Sequence, residues 1–278
     1  MTLFPFLRHL PFGYGRLYRD HKRAFERYLY FMFEIPKERF DSESSGGCVN
    51  ELLRLQSESP WLKDDNIRGI VREIVSAGLG TTSISVLAFF LILLHRPDVM
   101  KKIQQEIDAV IGRERPPRLT DKGHMPYTEA ATLESLRYYT VLPLGVVHTT
   151  TREAQFRDYF IPKHTVIFTN SWLAHHDEAV WGDPWEYRPE RFLDENGRLL
   201  PADSELMKSW FPFGTGKRAC FGEPFARCRI FLFITTLLQH FNFRPCADEP
   251  CPSYDPRTFQ SNITLIAPKF KVCAFPRN

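Results

Sequence analysis

The sequence predicts a mainly helical fold with small β-sheets, an α+β arrangement in a single domain over residues 1–278. Three observations carry that reading. An uncharged run from Ile74 to Leu94 prolongs a helical stretch that begins near Asp64. Just after it, Met100, Ile103, Ile107 and Val110 recur on one face of a strongly amphipathic segment. From Gly145 onwards the apolar period shortens from the helical repeat to short alternating runs separated by turns.

Taken in order, Phe4 to Tyr14 is an aromatic, turn-rich opening, and Arg16 to Glu38 is a charged helical stretch. Asp41 to Gly47 reads as a polar linker. Asp64 or Asp65 caps a helix that runs to His95. The run Ile74 to Leu94 is long enough on paper to cross a bilayer, but Ser76, Gly78, Gly80, Thr81, Thr82, Ser83 and Ser85 make its first half polar. A buried core helix is the reading adopted. Pro97 then opens the amphipathic helix, Asp98 to Ile111, because its missing N–H costs nothing in a first turn. Arg113 to Lys122 is a loop, and Tyr127 to Tyr139 is a helix that ends before Pro143.

The short alternating runs predict strands at Val146 to Thr151, Gln155 to Tyr159 and Thr165 to Asn170. Asp177 to Leu200, rich in proline, tryptophan and charge, reads as a meandering loop. Phe225, Ile230, Phe231, Phe233, Leu237 and Leu238 mark a helix from Glu223 to His240. Strands are expected at Phe241 to Arg244, Ile263 to Ile266 and Phe270 to Phe275.

With 43% hydrophobic and 14% aromatic residues, 278 residues can bury a sizeable core. A net charge of +3 without a basic run interleaved with aromatics gives no reason to expect nucleic acid as a partner. The six cysteines, Cys48, Cys220, Cys228, Cys246, Cys251 and Cys273, are scattered without a Cys-x-x-Cys pair. They do not read as a disulfide framework, so a reducing compartment is expected. Met1 to Gly15 carries Arg8, His9 and two prolines, and reads as neither a signal peptide nor an anchor.

The most chemically pointed segment is Phe213-Gly214-Thr215-Gly216-Lys217-Arg218-Ala219-Cys220-Phe221-Gly222. It sets one thiol between glycines, behind a cation, at the start of an apolar helix. Gly216 allows a turn that a side chain would obstruct, and Gly222 leaves room for a flat group. Arg218 and the helix dipole both favour negative charge on Cys220, and a thiolate binds metal. The plainer alternative is a buried thiol in a helix-capping loop.

This pattern, Phe-x-x-Gly-x-Arg-x-Cys-x-Gly, resembles the cysteine-ligand loop of the cytochrome P450 family. The resemblance implies haem b held through Cys220 as proximal ligand, Arg218 on a haem propionate, and Phe213 as a ring shielding the sulfur, with Gly216 and Gly222 shaping the loop. Thiolate ligation pushes electron density to iron and favours O–O cleavage. Upstream, Glu134-Ser135-Leu136-Arg137 and Pro189-Glu190-Arg191-Phe192 stand in the family's order. Glu134, Arg137 and Arg191 would then form the family's buried structural triad.

Ala77-Gly78-Leu79-Gly80-Thr81-Thr82 looks like the family's oxygen groove, with Gly78 giving close approach and Thr81 the proton-steering hydroxyl. Gly80 stands where the family commonly has a carboxylate, which puts the usual proton relay in doubt. Small residues packing on another helix are the alternative there. His148 would meet a propionate and Leu142 to Val147 would line the substrate pocket, whereas His176 resembles a structural element of the family. Lys208, Lys217, Arg227 and Arg229 cluster around the cysteine loop, either as a docking face for an acidic reductase or as a solvated face.

The implied function is a monooxygenase. It would insert one oxygen atom of O2 into an apolar small-molecule substrate of the steroid, lipid or xenobiotic class, using electrons from an NADPH-dependent flavoprotein reductase. The implied location is the cytosolic face of the endoplasmic reticulum membrane, with membrane-surface contact. The resemblance covers a C-terminal portion of the family's catalytic domain, so a truncated, inactive or weakly haem-binding fragment is the alternative. A zinc-thiolate protein using Cys246, Cys251 and His240 is a remote one, since that spacing matches no usual zinc knuckle.

Overall fold

The computed structural model describes residues 5–41 and 46–277. It divides into two compact units, Met1–Leu79 and Gly80–Asn278.

In the first unit a short 3-10 turn, Pro5–His9, precedes α1 (Tyr14–Leu29). One π-helical turn, Tyr30–Glu34, then leads into α2 (Ile35–Glu38), so the charged helical stretch of the sequence is continuous but locally widened. Helix α3 (Gly47–Glu58) was not expected from the sequence, whose charged and apolar residues there show a weaker stripe. The Asp41 to Gly47 linker is partly outside the described residues. The first half of α4 (Asp64–His95) completes this unit. Its core is Phe33, Leu53, Leu62, Ile67 and Val71.

The second unit takes the remainder of α4, where Ala88 to Leu94 are all buried. A helix that is apolar all round belongs inside a core, which accounts for the uncharged sequence. By length and composition alone α4 is also the one helix among the described residues that could cross a membrane. Helix α5 (Pro97–Val110) buries Val99, Met100, Ile103 and Ile107, the stripe read from the sequence. A 3-10 turn, Leu119–His124, leads to α6 (Pro126–Tyr139), in which every residue from Thr128 to Tyr139 is buried.

The strands between Val146 and Asn170 are shorter than expected. β1 (His148–Thr149) pairs antiparallel with β4 (Val166–Ile167), and between them β2 (Ala154–Phe156) and β3 (Tyr159–Ile161) form a hairpin. The single strand expected over Gln155 to Tyr159 is therefore wrong: it folds back on itself at Arg157, whose φ of 53° lies in the left-handed region. Nothing in the apolar pattern marked that reversal. A short helix α7 (Ser171–His175) precedes the meander, α8 (Glu178–Trp181) and a 3-10 turn at Pro189–Phe192 punctuate it, and α9 (Glu205–Lys208) follows it.

Helix α10 (Glu223–His240) runs into β5 (Phe241–Pro245), which pairs with β8 (Val272–Pro276). Between them β6 (Gln260–Ser261) and β7 (Leu265–Ile266) make a second hairpin. The main core gathers Phe89, Ile92, Leu93, Ile103, Ile107, Leu136, Trp181, Tyr187, Phe192 and Phe231 from α4, α5, α6, the meander and α10. Mainly α with small antiparallel sheets is the fold class.

One expectation about the cysteines is corrected. Cys246 and Cys273 form a disulfide beside the β5–β8 ladder. Sequence spacing could not reveal it, because the strand pairing brings residues that far apart to a Cα separation of 5.4 Å. Cys246 is thereby engaged by Cys273, and no metal-holding cluster of three histidine, cysteine or acidic residues occurs among the described residues.

Candidate functional site

The cysteine loop is built by its glycines. Gly214 and Gly216 take φ of 74° and 72°, conformations that L side chains rarely adopt, and they bend the chain back so that the Cys220 amide donates to the Phe213 carbonyl at 2.8 Å. Phe213 is half-buried against the main core and meets Trp210 edge-on at 6.1 Å. The Trp210 indole N–H in turn donates to the Leu133 carbonyl in α6 at 2.9 Å. One end of the loop is thus anchored to α6 through a chain of packed aromatics.

The other end is the first turn of α10. Cys220 is exposed immediately before it, and Gly222 occupies the N-cap position without a side-chain cap. A Cβ placed on Gly222 would lie 3.7 Å from the Cys220 sulfur, so the glycine keeps the space beside the sulfur clear. Arg218, on the turn Gly216–Arg218, is exposed and has no carboxylate partner among the described residues. Phe221 is 73% exposed, an apolar ring that the chain itself does not cover. A thiol, a free cation and bare apolar surface on one loop suit a flat, hydrophobic, anionic macrocycle, and the residues present fit haem.

The other thiols suit a metal ligand less well. Cys228 is half-buried within α10, and Cys48 belongs to the first unit. Cys251 packs into the cluster around Leu91 and Tyr139, and that burial raises its pKa, which disfavours the thiolate.

Glu134, Arg137 and Arg191 are brought together in full burial. Glu134 accepts two parallel bonds from Arg137, Nε at 2.7 Å and Nη2 at 2.8 Å, and a third from Arg191 Nε at 3.0 Å. The Arg188 amide supplies a fourth at 3.0 Å. The guanidiniums spend their remaining N–H groups on carbonyls of the meander: Arg137 on His175 and Pro184, Arg191 on Trp181, Asp183 and Glu186. One carboxylate therefore organises the backbone from His175 to Glu186, which has little regular structure of its own. Burial lowers the Arg191 pKa, and the Glu134 carboxylate opposes that shift.

His175, the last residue of α7, is a positioning residue that sequence reasoning passed over, since a histidine pair carries no pattern. Its Nε2 accepts from the Phe211 amide at 3.2 Å, two residues before Phe213. Its Nδ1 lies 3.0 Å from Thr140 Oγ1, and that hydroxyl donates to the Arg137 carbonyl at 2.6 Å. These partners require the neutral ring with its proton on Nδ1. Desolvation, aided by the nearby Arg137 charge, lowers the His175 pKa to about 3. His176, stacked on Trp185 at 4.3 Å, is lowered to about 4, again mainly by desolvation.

The remaining predicted residues lie on α4, on β1 and around the cysteine loop. Thr81 is half-buried in α4, where its carbonyl accepts from the Ser85 hydroxyl at 2.9 Å. Gly78 belongs to the first unit and Gly80 to the second, and a Cβ at either would meet open space. Close packing against another helix, the alternative for these glycines, finds no support in that. His148 is exposed on β1, and Leu144, Val146 and Val147 just before it are each at least half exposed. Of the basic cluster, Lys208 pairs with Glu205 and Arg227 with Glu129 and Glu223, so part of that charge is spent internally.

The family model for cytochrome P450 matches residues 1–274. Cytochrome P450 2D6 of Homo sapiens is 37% identical over 280 residues, covering 98% of this chain and 54% of that protein. Cytochrome P450 2D19 of Callithrix jacchus is 42% identical over 247 residues, covering 89% and 45%. Cytochrome P450 1A2 of Homo sapiens is 36% identical over 251 residues, covering 87% and 48%. The chain spans about half the length of the curated relatives it matches.

Proposed function

The chain belongs to the cytochrome P450 family, and on that premise we propose that Cys220 is the proximal thiolate ligand of haem b in a monooxygenase acting on an apolar substrate. The observation that carries the proposal is an exposed thiol at the mouth of α10, held on a glycine-turned loop, with clear space beside the sulfur. When bound, the haem supplies the activation of O2 that delivers one oxygen atom to substrate.

The protein residues have separate tasks. The Phe213 carbonyl orients the Cys220 backbone, and the Phe213 ring keeps water from the inner side of the loop. Arg218 and His148 would hold the propionates, both being exposed and able to donate. The Glu134–Arg137–Arg191 cluster and His175 keep the segment beneath the loop in register, so their contribution is positional. The Thr81 hydroxyl would hold a proton toward the substrate side, and Gly80 leaves the neighbouring position without a carboxylate. Leu144, Val146 and Val147 offer apolar surface to a steroid, lipid or xenobiotic. Electrons would come from an NADPH-dependent flavoprotein reductase attracted by Lys217 and the cations near it, at the cytosolic face of the endoplasmic reticulum membrane.

The test is reconstitution with haem. The ferrous carbonyl adduct should show the red-shifted Soret band of thiolate ligation, Cys220→Ala should abolish it, and Cys251→Ala should keep it. Loss with Cys251→Ala and retention with Cys220→Ala would overturn the assignment. A second reading, a chain that retains haem weakly, draws on its spanning about half the length of the relatives it matches. Rapid transfer of haem to an acceptor protein would identify it.

A further inference from the structure

The disulfide Cys246–Cys273 closes a strap of chain across the end of the β5–β8 ladder, with a sequence separation of 27. The strap is not a passive loop. Its Phe259 and Leu265 are buried against Ala88 and Leu91 of α4 and Tyr139 of α6. The Leu265 amide donates to the Val141 carbonyl at 2.9 Å, and the Tyr139 hydroxyl donates to the Leu265 carbonyl. The strap thereby pins the chain where α6 passes into Leu142 to Val147. Phe259, Ser261 and Leu265 also share an open surface depression with Pro143 and Trp172.

We propose that Cys246 and Cys273 form a reversible redox latch that sets how firmly this strap holds the end of α6. Cys246 and Cys273 are each half-buried rather than enclosed in the core. The other four cysteines are free, and in a reducing compartment, as the proposed function has it, a lone bridge is usually transient or redox-sensing. Closure is thiol–disulfide exchange with a low-molecular-weight disulfide such as glutathione disulfide. One protein thiolate attacks it and releases one small thiol; the second protein thiolate attacks the mixed disulfide and releases the other. Two protein thiols are oxidised, one small disulfide is reduced to two thiols, and reduction runs the same steps backwards. Cys251, within the strap, packs into the cluster around Leu91 and Tyr139, and that burial raises its thiol pKa.

The experiment uses the full chain in glutathione buffers, one dominated by the disulfide and one by the thiol, and its readouts do not depend on haem. In the oxidised buffer, alkylation under denaturing conditions should label Cys48, Cys220, Cys228 and Cys251, and a digest should contain Cys246 and Cys273 in one cross-linked peptide. In the reduced buffer all six should be labelled. Hydrogen exchange at the Leu265 amide should be on the order of tenfold faster in the reduced buffer. Cys246→Ser and Cys273→Ser should each exchange at the fast rate in both buffers. Labelling of Cys246 and Cys273 in the oxidised buffer, or a Leu265 exchange rate that ignores the buffer in the wild-type chain, would overturn the proposal.

Discussion

Lowering the pH from 7.5 to 5 should destabilise the second unit through His175 and His176, before most carboxylates begin to titrate. An imidazole in water ordinarily titrates at 6.5, and in the folded chain the two fall to about 3 and about 4. Below 6.5 the unfolded chain binds a proton that the folded chain refuses, so stability is fully present above that value and drains away as the pH falls. At pH 5 each histidine has been out of balance for 1.5 units, which is roughly 2 kcal/mol apiece at 1.36 kcal/mol per unit. Together they account for about 4 kcal/mol, or a fall in Tm of roughly 8–16 °C for a unit of this size.

The geometry explains why His175 cannot simply accept the proton. A second N–H on Nε2 would point at the Phe211 amide, turning an acceptor into a donor facing a donor. Thermal melts across the pH range test this, with His175→Asn as the control, since a side chain that does not titrate should remove about half of the slope. A flat profile between pH 7.5 and 5 in the wild-type chain, or an undiminished slope in His175→Asn, would refute the reasoning.

Two other perturbations follow from particular contacts. Glu134→Gln keeps the shape but leaves Arg137 and Arg191 without an anion at essentially zero exposure. It should cost about 3–5 kcal/mol in denaturant titrations, and a loss below about 1 kcal/mol would show that the three charges do not depend on one another. Gly15→Ala should disturb the opening of α1, because a Cβ there would sit 1.9 Å from the Leu10 carbonyl oxygen. The local cost is on the order of 1–3 kcal/mol. It should appear as faster hydrogen exchange in α1 with the second unit unaffected, and unchanged exchange in α1 would count against it.

Much of this protein was legible in its sequence because the signals were local. The apolar run Ala88 to Leu94, the stripe on α5 and the glycine-bracketed Cys220 each state their environment within a turn or two of chain. The carboxylate of Glu134 and the guanidinium of Arg137, at i and i+3, were likewise readable as neighbours on one helix face. What stayed hidden depends on residues that meet only after folding. His175 becomes a neutral link between Thr140 and Phe211 because two loops converge on it, and no periodicity encodes that.

Composition and spacing by themselves determined the helical class, the order of the motifs and the one thiol on a turned loop. The family resemblance implied that Arg191 reaches Glu134 across 57 positions; the tertiary structure alone decided that Cys246 finds Cys273 and that the strap between β5 and β8 lies on Tyr139. The reason is physical: a helix dictates its neighbours through hydrogen bonds four residues apart. Buried charges and paired strands find their partners through desolvation and closure over long stretches of chain, which only the packed molecule specifies.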